Sequence, residues 1–144
     1  MSSSEAWSKY QVQLGYYNQL NSIRLALVAI RGSLEAADTM FDSAVRKMTS
    51  CVDTVENADI VLEDFNQYLT LLSDNYNIIH NAEKDSDTFM RNINTAFNKV
   101  EDDMEIVHAY MTYLHNYYLS AQTDEHYGRS VIYPAYTGEI FSGF

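Results

Sequence analysis

Glycine and proline are scarce in this chain, at five and one residue in 144. So few of them leave little of the turn chemistry that sandwiches, barrels and phosphate-cradling loops need, and the shortage points to helix. Cysteine is rarer than glycine: Cys51 stands alone, so the chain has neither an internal disulfide nor a four-cysteine zinc site. Bases are few as well, nine Lys and Arg against 20 Asp and Glu, a net charge of −11. Such a balance argues against a protein that displaces counterions from a phosphate backbone, so no nucleic-acid partner is expected. No apolar run reaches the about 18 residues that suggest a membrane helix. The start MSSSEAWSKY lacks a basic stretch followed by an apolar core. The expectation is a soluble chain with no signal peptide and no membrane insertion, intracellular or part of an assembled particle.

What the chain does have is a repeat. Hydrophobic residues make up 47%, an ordinary globular share, and tyrosine is plentiful at 12. With Leu20 and Ile23 as heptad positions a and d, stepping by seven finds apolar residues at 28 of 30 positions from Leu20 to Ala121. Positions b, e and f are mostly polar, whereas g is apolar in nine of 15 cases. This is a coiled-coil seam widened on its g side, as when a helix meets more than one neighbour.

The two seam failures, Glu83 and Ser86, fall together in HNAEKDSD, residues 80–87. That stretch is the turn expected from the sequence, with Asp85, Ser86 or Asp87 as N-cap and an Asp87–Arg91 pair in the next first turn. Reversal there would set Leu62 against Val107, Phe65 against Met104, Leu69 against Val100, Leu72 against Phe97, Tyr76 against Ile93 and Ile79 against Met90. It would also set Ala58 against Met111 and Cys51 against Tyr118. The first helix, opened by a Ser2/Glu5 capping box, would run to about residue 81 and measure roughly 115 Å, against roughly 50 Å for the second. A break near Thr49–Thr54 would instead give three helices, because Thr, Ser, Val and Cys propagate helix poorly. The fold expectation is therefore all-α: a long antiparallel coiled-coil helical hairpin, alternatively a three-helix bundle, with an extended aromatic C-terminal tail. The helical region would span 1–122, with its turn near 81–87, and the tail 123–144.

Unequal arms would leave Leu20, Ile23, Leu27, Ile30, Leu34 and Phe41 without an internal partner. Burying a large apolar side chain is worth about 1.5–3 kcal/mol, so such a stripe calls for another chain. The tail holds three of the five glycines, the only proline and five aromatics, Tyr127, Tyr133, Tyr136, Phe141 and Phe144. These rings either pack back on the chain's own helices or anchor to a neighbour. Together the stripe and the tail aromatics form the partner-binding set expected from the sequence.

Constellations that carry chemistry are weak. Glu105 and His108 match the Glu-x-x-His element of di-iron bundles, but the second copy is missing, since Asn77 precedes His80 at that spacing. Glu105 falls at b and His108 at e, where solvated surface is expected. Met104 and Met111 near His108 and His115 suit a core stripe better than a haem site. Cys51, on the seam and without an adjacent cation there, reads as an inert thiol. No glycine-rich phosphate loop, Gly-x-Ser-x-Gly elbow or His-Glu-x-x-His element occurs. Neither an enzyme nor a cofactor is expected.

Charge is uneven along the chain. Residues 1–50 carry five bases and four acids, residues 51–144 four bases and 16 acids. The near-neutral arm is the part suited to association, while the acidic part keeps copies apart or steers a basic partner. The function expected is a non-enzymatic structural subunit of a larger assembly, such as a virion, appendage or filament component, in a homo-oligomer or hetero-assembly. The alternative is a small helical partner, adaptor or carrier of a secretion system. Helical hairpins of the type VII secretion substrate class are similar in outline, but their Trp-x-Gly turn is absent, for Trp7 is followed by Ser8 and Lys9.

Overall fold

The computed structural model describes the backbone of residues 1–57 and 65–144, and their side chains except at 51, 52, 54–57 and 65–73. Two long helices dominate it, α1 (Ser3–Asn57) and α2 (Phe65–His126), with no strand among the described residues. They pack against each other as a hairpin. None of the described helices is long and apolar enough to cross a membrane.

The expected capping box is present. Ser2 Oγ accepts from the Glu5 N–H at 3.1 Å, and Glu5 Oε2 accepts from the Ser2 N–H at 3.1 Å. Two of the four orphan donors of the first turn are thus satisfied locally, and α1 starts where the sequence says it should. At the other end Gly128 adopts φ 67°, its N–H donates to the Glu125 carbonyl and the Arg129 N–H donates to that of Asp124. This reciprocal closure is a Schellman motif, and it stops α2 at His126, a few residues beyond the 122 expected.

The turn expected near 81–87 is not there, because these residues lie inside α2. Thr88 Oγ1 donates back to the Lys84 carbonyl, and Arg91 donates to Thr88 Oγ1 rather than pairing with Asp87 in a first turn. The pairs from Phe65/Met104 to Ile79/Met90 therefore sit along one helix and do not face each other; Leu62 and Ala58 lie outside the described residues. Nor does α1 break at Thr49–Thr54, where Thr49 Oγ1 donates to the Val45 carbonyl at 2.9 Å. Continuity of α1 to Asn57 removes the three-helix alternative that a break there would give.

The chain divides into two compact units. Unit 1 comprises Met1–Leu27 and Ala96–Phe144. Here α1 and α2 run antiparallel: Ser3 meets Glu125, the Trp7 ring lies tilted against Tyr118, Tyr10 against His115 and Tyr17 against His108, and Arg24 reaches Glu101 at 3.4 Å. Ser3 donates to the Glu125 carboxylate from both its N–H, at 2.9 Å, and its hydroxyl, at 2.6 Å. These two bonds hold the Glu125 carboxyl below the usual carboxylate range and fasten the start of α1 to the end of α2. Tyr117 Oη, donating to the Met1 carbonyl at 2.6 Å, adds a second fastening.

The unit 1 core has two clusters. Ala6, Tyr117 and Ala121 form one, with Tyr113, Tyr118, Val131 and Tyr133 packed against it. Leu20, Val107 and Met111 form the other, joined by Leu14, Tyr16, Val100, Met104 and Phe141 among others. Gln13 is buried between the helices, and its Oε1 has no partner among the described residues.

Unit 2 comprises Val28–Thr95. Leu34, Phe41, Met48, Ile79 and Met90 are only half-buried, and Ile93 alone among its described residues is a buried apolar side chain. The seam positions Glu83 and Ser86 are half-buried too, and Glu83 Oε2 and His80 Nδ1 have no hydrogen-bond partner among the described residues. Asp38 lies beside Asp87, and desolvation followed by Asp87 and Asp42 pushes its carboxyl up from the ordinary aspartate value.

Candidate interaction surface

The stripe from Leu20 to Phe41 does not lie as the heptad suggests. Leu20 is 2% exposed and packs on Val107 and Met111, so the expectation that it lacks an internal partner is corrected. Leu27, Leu34 and Phe41 are half-buried. Ile23 and Ile30, both at d, are 39% and 40% exposed. Residues four beyond each a position, Arg24, Arg31 and Asp38, take the half-buried places instead. The face that α1 turns inward is thus rotated from a and d toward a and e. Arg24 makes this rotation tolerable, for its guanidinium covers the Phe97 ring at 5.5 Å and bridges to Glu101.

In unit 1 the other face of the pair is covered by residues 129–144, which form no helix or strand. Their rings meet the tyrosines of α2 in sequence. Tyr133 sits 5.6 Å from Tyr113 and 5.4 Å from Tyr117, and Tyr136 sits 4.8 Å from Tyr110 and 5.0 Å from Tyr113. Phe141 meets Tyr16 edge-on at 5.5 Å. Tyr113 Oη donates to the Pro134 carbonyl at 2.8 Å. Burial first, then the neighbouring Tyr117, Tyr133 and Tyr110, raises the Tyr113 phenol above its ordinary value, so it remains a donor. Tyr127 is 68% exposed under the Arg129 guanidinium, and Phe144 is 73% exposed against Tyr16. Three of the five tail aromatics therefore pack on the chain's own helices, and two keep most of their surface in solvent.

The receiving residues Tyr110, Tyr113, Tyr117 and Tyr16 were not singled out from the sequence. Their signal was the apolar widening at g, where Tyr110 and Tyr117 fall, since a second neighbour needs a second apolar flank. Below the end of the C-terminal segment a cleft of about 320 Å³ is lined by Val12, Gln13, Tyr110 and Ile140, among others.

Unit 2 has no such cover in the described residues. Val28, Ile30, Met40, Ile78 and Phe89 are 37%, 40%, 73%, 66% and 50% exposed. A groove of about 730 Å³ opens over Val28, Gly32 and Met90, with Arg31, Glu35 and Asp38 at its walls. Gly32 contributes to that opening, for nothing lies within 4 Å of where its Cβ would be.

Among the described residues the histidines and their acidic neighbours are spread along the helices. Glu105 and His108 are exposed on α2, His108 beside Tyr17 and His115 beside Tyr10, while Met111 is buried in the Leu20 cluster. His80 stacks on Tyr76 at 5.7 Å. No group of three or more His, Cys, Asp or Glu that could hold a metal occurs among the described residues. Comparison with family models, curated proteins and solved structures finds no match to this chain.

Proposed function

We propose that this chain is a non-enzymatic structural subunit of a larger protein assembly, such as a virion, appendage or filament component, associating through coiled-coil packing of its helices and through its C-terminal segment. The observation that supports this most is the open apolar surface of unit 2, where Met40, Ile78 and Phe89 are each at least half exposed. Covering a large apolar side chain is worth about 1.5–3 kcal/mol, and several on one compact unit favour a protein partner. Met40 lies in the near-neutral residues 1–50, while Ile78 and Phe89 lie in the acidic remainder of the chain, which suits a partner that brings basic groups to that side. Sedimentation velocity over a range of concentrations tests the reading. Growth of the particle beyond the 16.5 kDa chain, or co-purification with a stoichiometric protein partner, is the expected result. A monomer at every concentration, with no partner in its native extract, would remove it.

A further inference from the structure

We propose that the groove holding residues 131–144 in unit 1 is an exchange site, which takes the same segment from a second copy of the chain in place of its own. The inference rests on the assembly reading and names the surface by which one copy would grip the next. Four observations carry it.

The segment is gripped by side chains, not by a backbone ladder. Tyr133, Tyr136 and Phe141 enter between Tyr117, Tyr113, Tyr110 and Tyr16, and the hydrogen bond described from the helices to this stretch is the one from Tyr113 to Pro134. Release therefore breaks ring contacts without unzipping a sheet. The tether can turn at Ser130, which is exposed and lies beyond the cap. Gly128 and Arg129 stay closed on the Glu125 and Asp124 carbonyls, and the Arg129 side chain stays on Asp124 and Tyr127, all on the helix side of that turn. Those contacts survive whichever groove the segment enters.

The groove lies wholly within unit 1, so a second copy presents the same rings in the same order. Finally, residues 127–144 carry one base, Arg129, and one acid, Glu139. Passing this neutral piece between chains of net charge −11 moves no charge across the contact. A reciprocal exchange keeps every contact, so concentration decides the outcome. The chain's own segment competes at an effective concentration on the order of mM, and crowding of copies in an assembly offsets that advantage.

The full chain tests this directly. Unlabelled and ¹⁵N-labelled chains are unfolded together, refolded at about 1 mM, and photo-oxidised with a ruthenium complex and persulfate. Each of two touching phenols loses one electron to the oxidant and one proton to water, and the two radicals join as a dityrosine. Tryptic peptides 100–129 and 130–144 then report which tail met which helix. Mixed-isotope links from Tyr133 or Tyr136 to Tyr110, Tyr113 or Tyr117, as abundant as same-isotope links and lost on dilution before oxidation, are the expected result. Links that are same-isotope only, or mixed links confined to the exposed Tyr127, overturn the proposal. Sedimentation of the same sample separates the two readings. An assembled sample with same-isotope links defeats exchange and leaves the assembly standing, whereas a monomeric sample without mixed links defeats both.

Discussion

In unit 1, Ala6, Val107, Leu114 and Ala121 are fully buried and Leu20 nearly so; in unit 2, Ile93 is the one buried apolar side chain among the described residues. Both units are built from the same two helices with the same kind of repeat. What differs is the third layer. Residues 131–144 lie over Tyr110, Tyr113 and Tyr117 and turn a two-helix contact into a closed core, while the described part of unit 2 stays two layers thick. Two helices alone leave most seam residues partly in water, and Leu34, Phe41 and Met90 stop at half burial while Ile93 is covered. The lesson is that heptad quality does not decide burial here. The number of neighbours does.

The largest effect that separates the units is a core truncation. Leu20→Ala or Leu114→Ala should cost about 2–5 kcal/mol in urea denaturation, because each leaves a cavity in a sealed site. Ile30→Ala in unit 2 should stay within about 0.5 kcal/mol, as surface changes do. Equal losses would mean that the two units are equally closed and would break the comparison.

Much of this fold is legible in the sequence, and the parts that are not have physical causes. The Ser2/Glu5 box, the absence of Gly and Pro from 33 to 127 and the end of the heptad at Ala121 locate the helical region to within a few residues. The reversal was misread because Glu83 and Ser86 look like seam failures. In a seam that stays half open, Ser86 keeps part of its surface in water, and Ala82, Glu83 and Lys84 are good helix formers, so α2 runs on. The rotation of α1 was hidden because Arg24 and Arg31 count as polar at e, although an Arg stem packs as well as an aliphatic side chain when its head finds a carboxylate or a ring. The expected partner-binding set was mixed for the same reason: Leu20 turned inward, while Ile23 and Ile30 stayed out.

Smaller tests sharpen the contrast. Gln13→Leu should stabilise unit 1 by about 1 kcal/mol, since it removes a buried acceptor that has no partner, and thermal unfolding reads the gain. Tyr117→Phe should cost unit 1 about 1 kcal/mol by freeing the Met1 carbonyl, while amide exchange in unit 2 stays unchanged.

The smallest effects have opposite signs in the two units. The Glu125 carboxyl is held low by Ser3, so its contribution is present above the ordinary glutamate range and is lost as pH falls through its lowered value. The Asp38 carboxyl is pushed up by desolvation and by Asp87 and Asp42, so its contribution is present below the ordinary aspartate range and is lost as pH rises through its raised value. Acidification should therefore loosen amide protection at the start of α1 and tighten it around Asp38. At neutral pH, Glu125→Gln should weaken the first site and Asp38→Asn should strengthen the second. Parallel changes in both units would contradict the assigned causes.

Unit 1 is closed by a C-terminal segment, whereas the described part of unit 2 leaves apolar side chains uncovered, and sedimentation of the wild type beside Met40→Glu/Phe89→Glu tests that contrast most directly. At concentrations well below the about 1 mM at which tail exchange competes, the wild-type chain is expected to grow and the variant to remain at 16.5 kDa with unit 1 amide protection intact. Association that is undiminished in the variant, or a wild type that stays monomeric and partnerless, would contradict it.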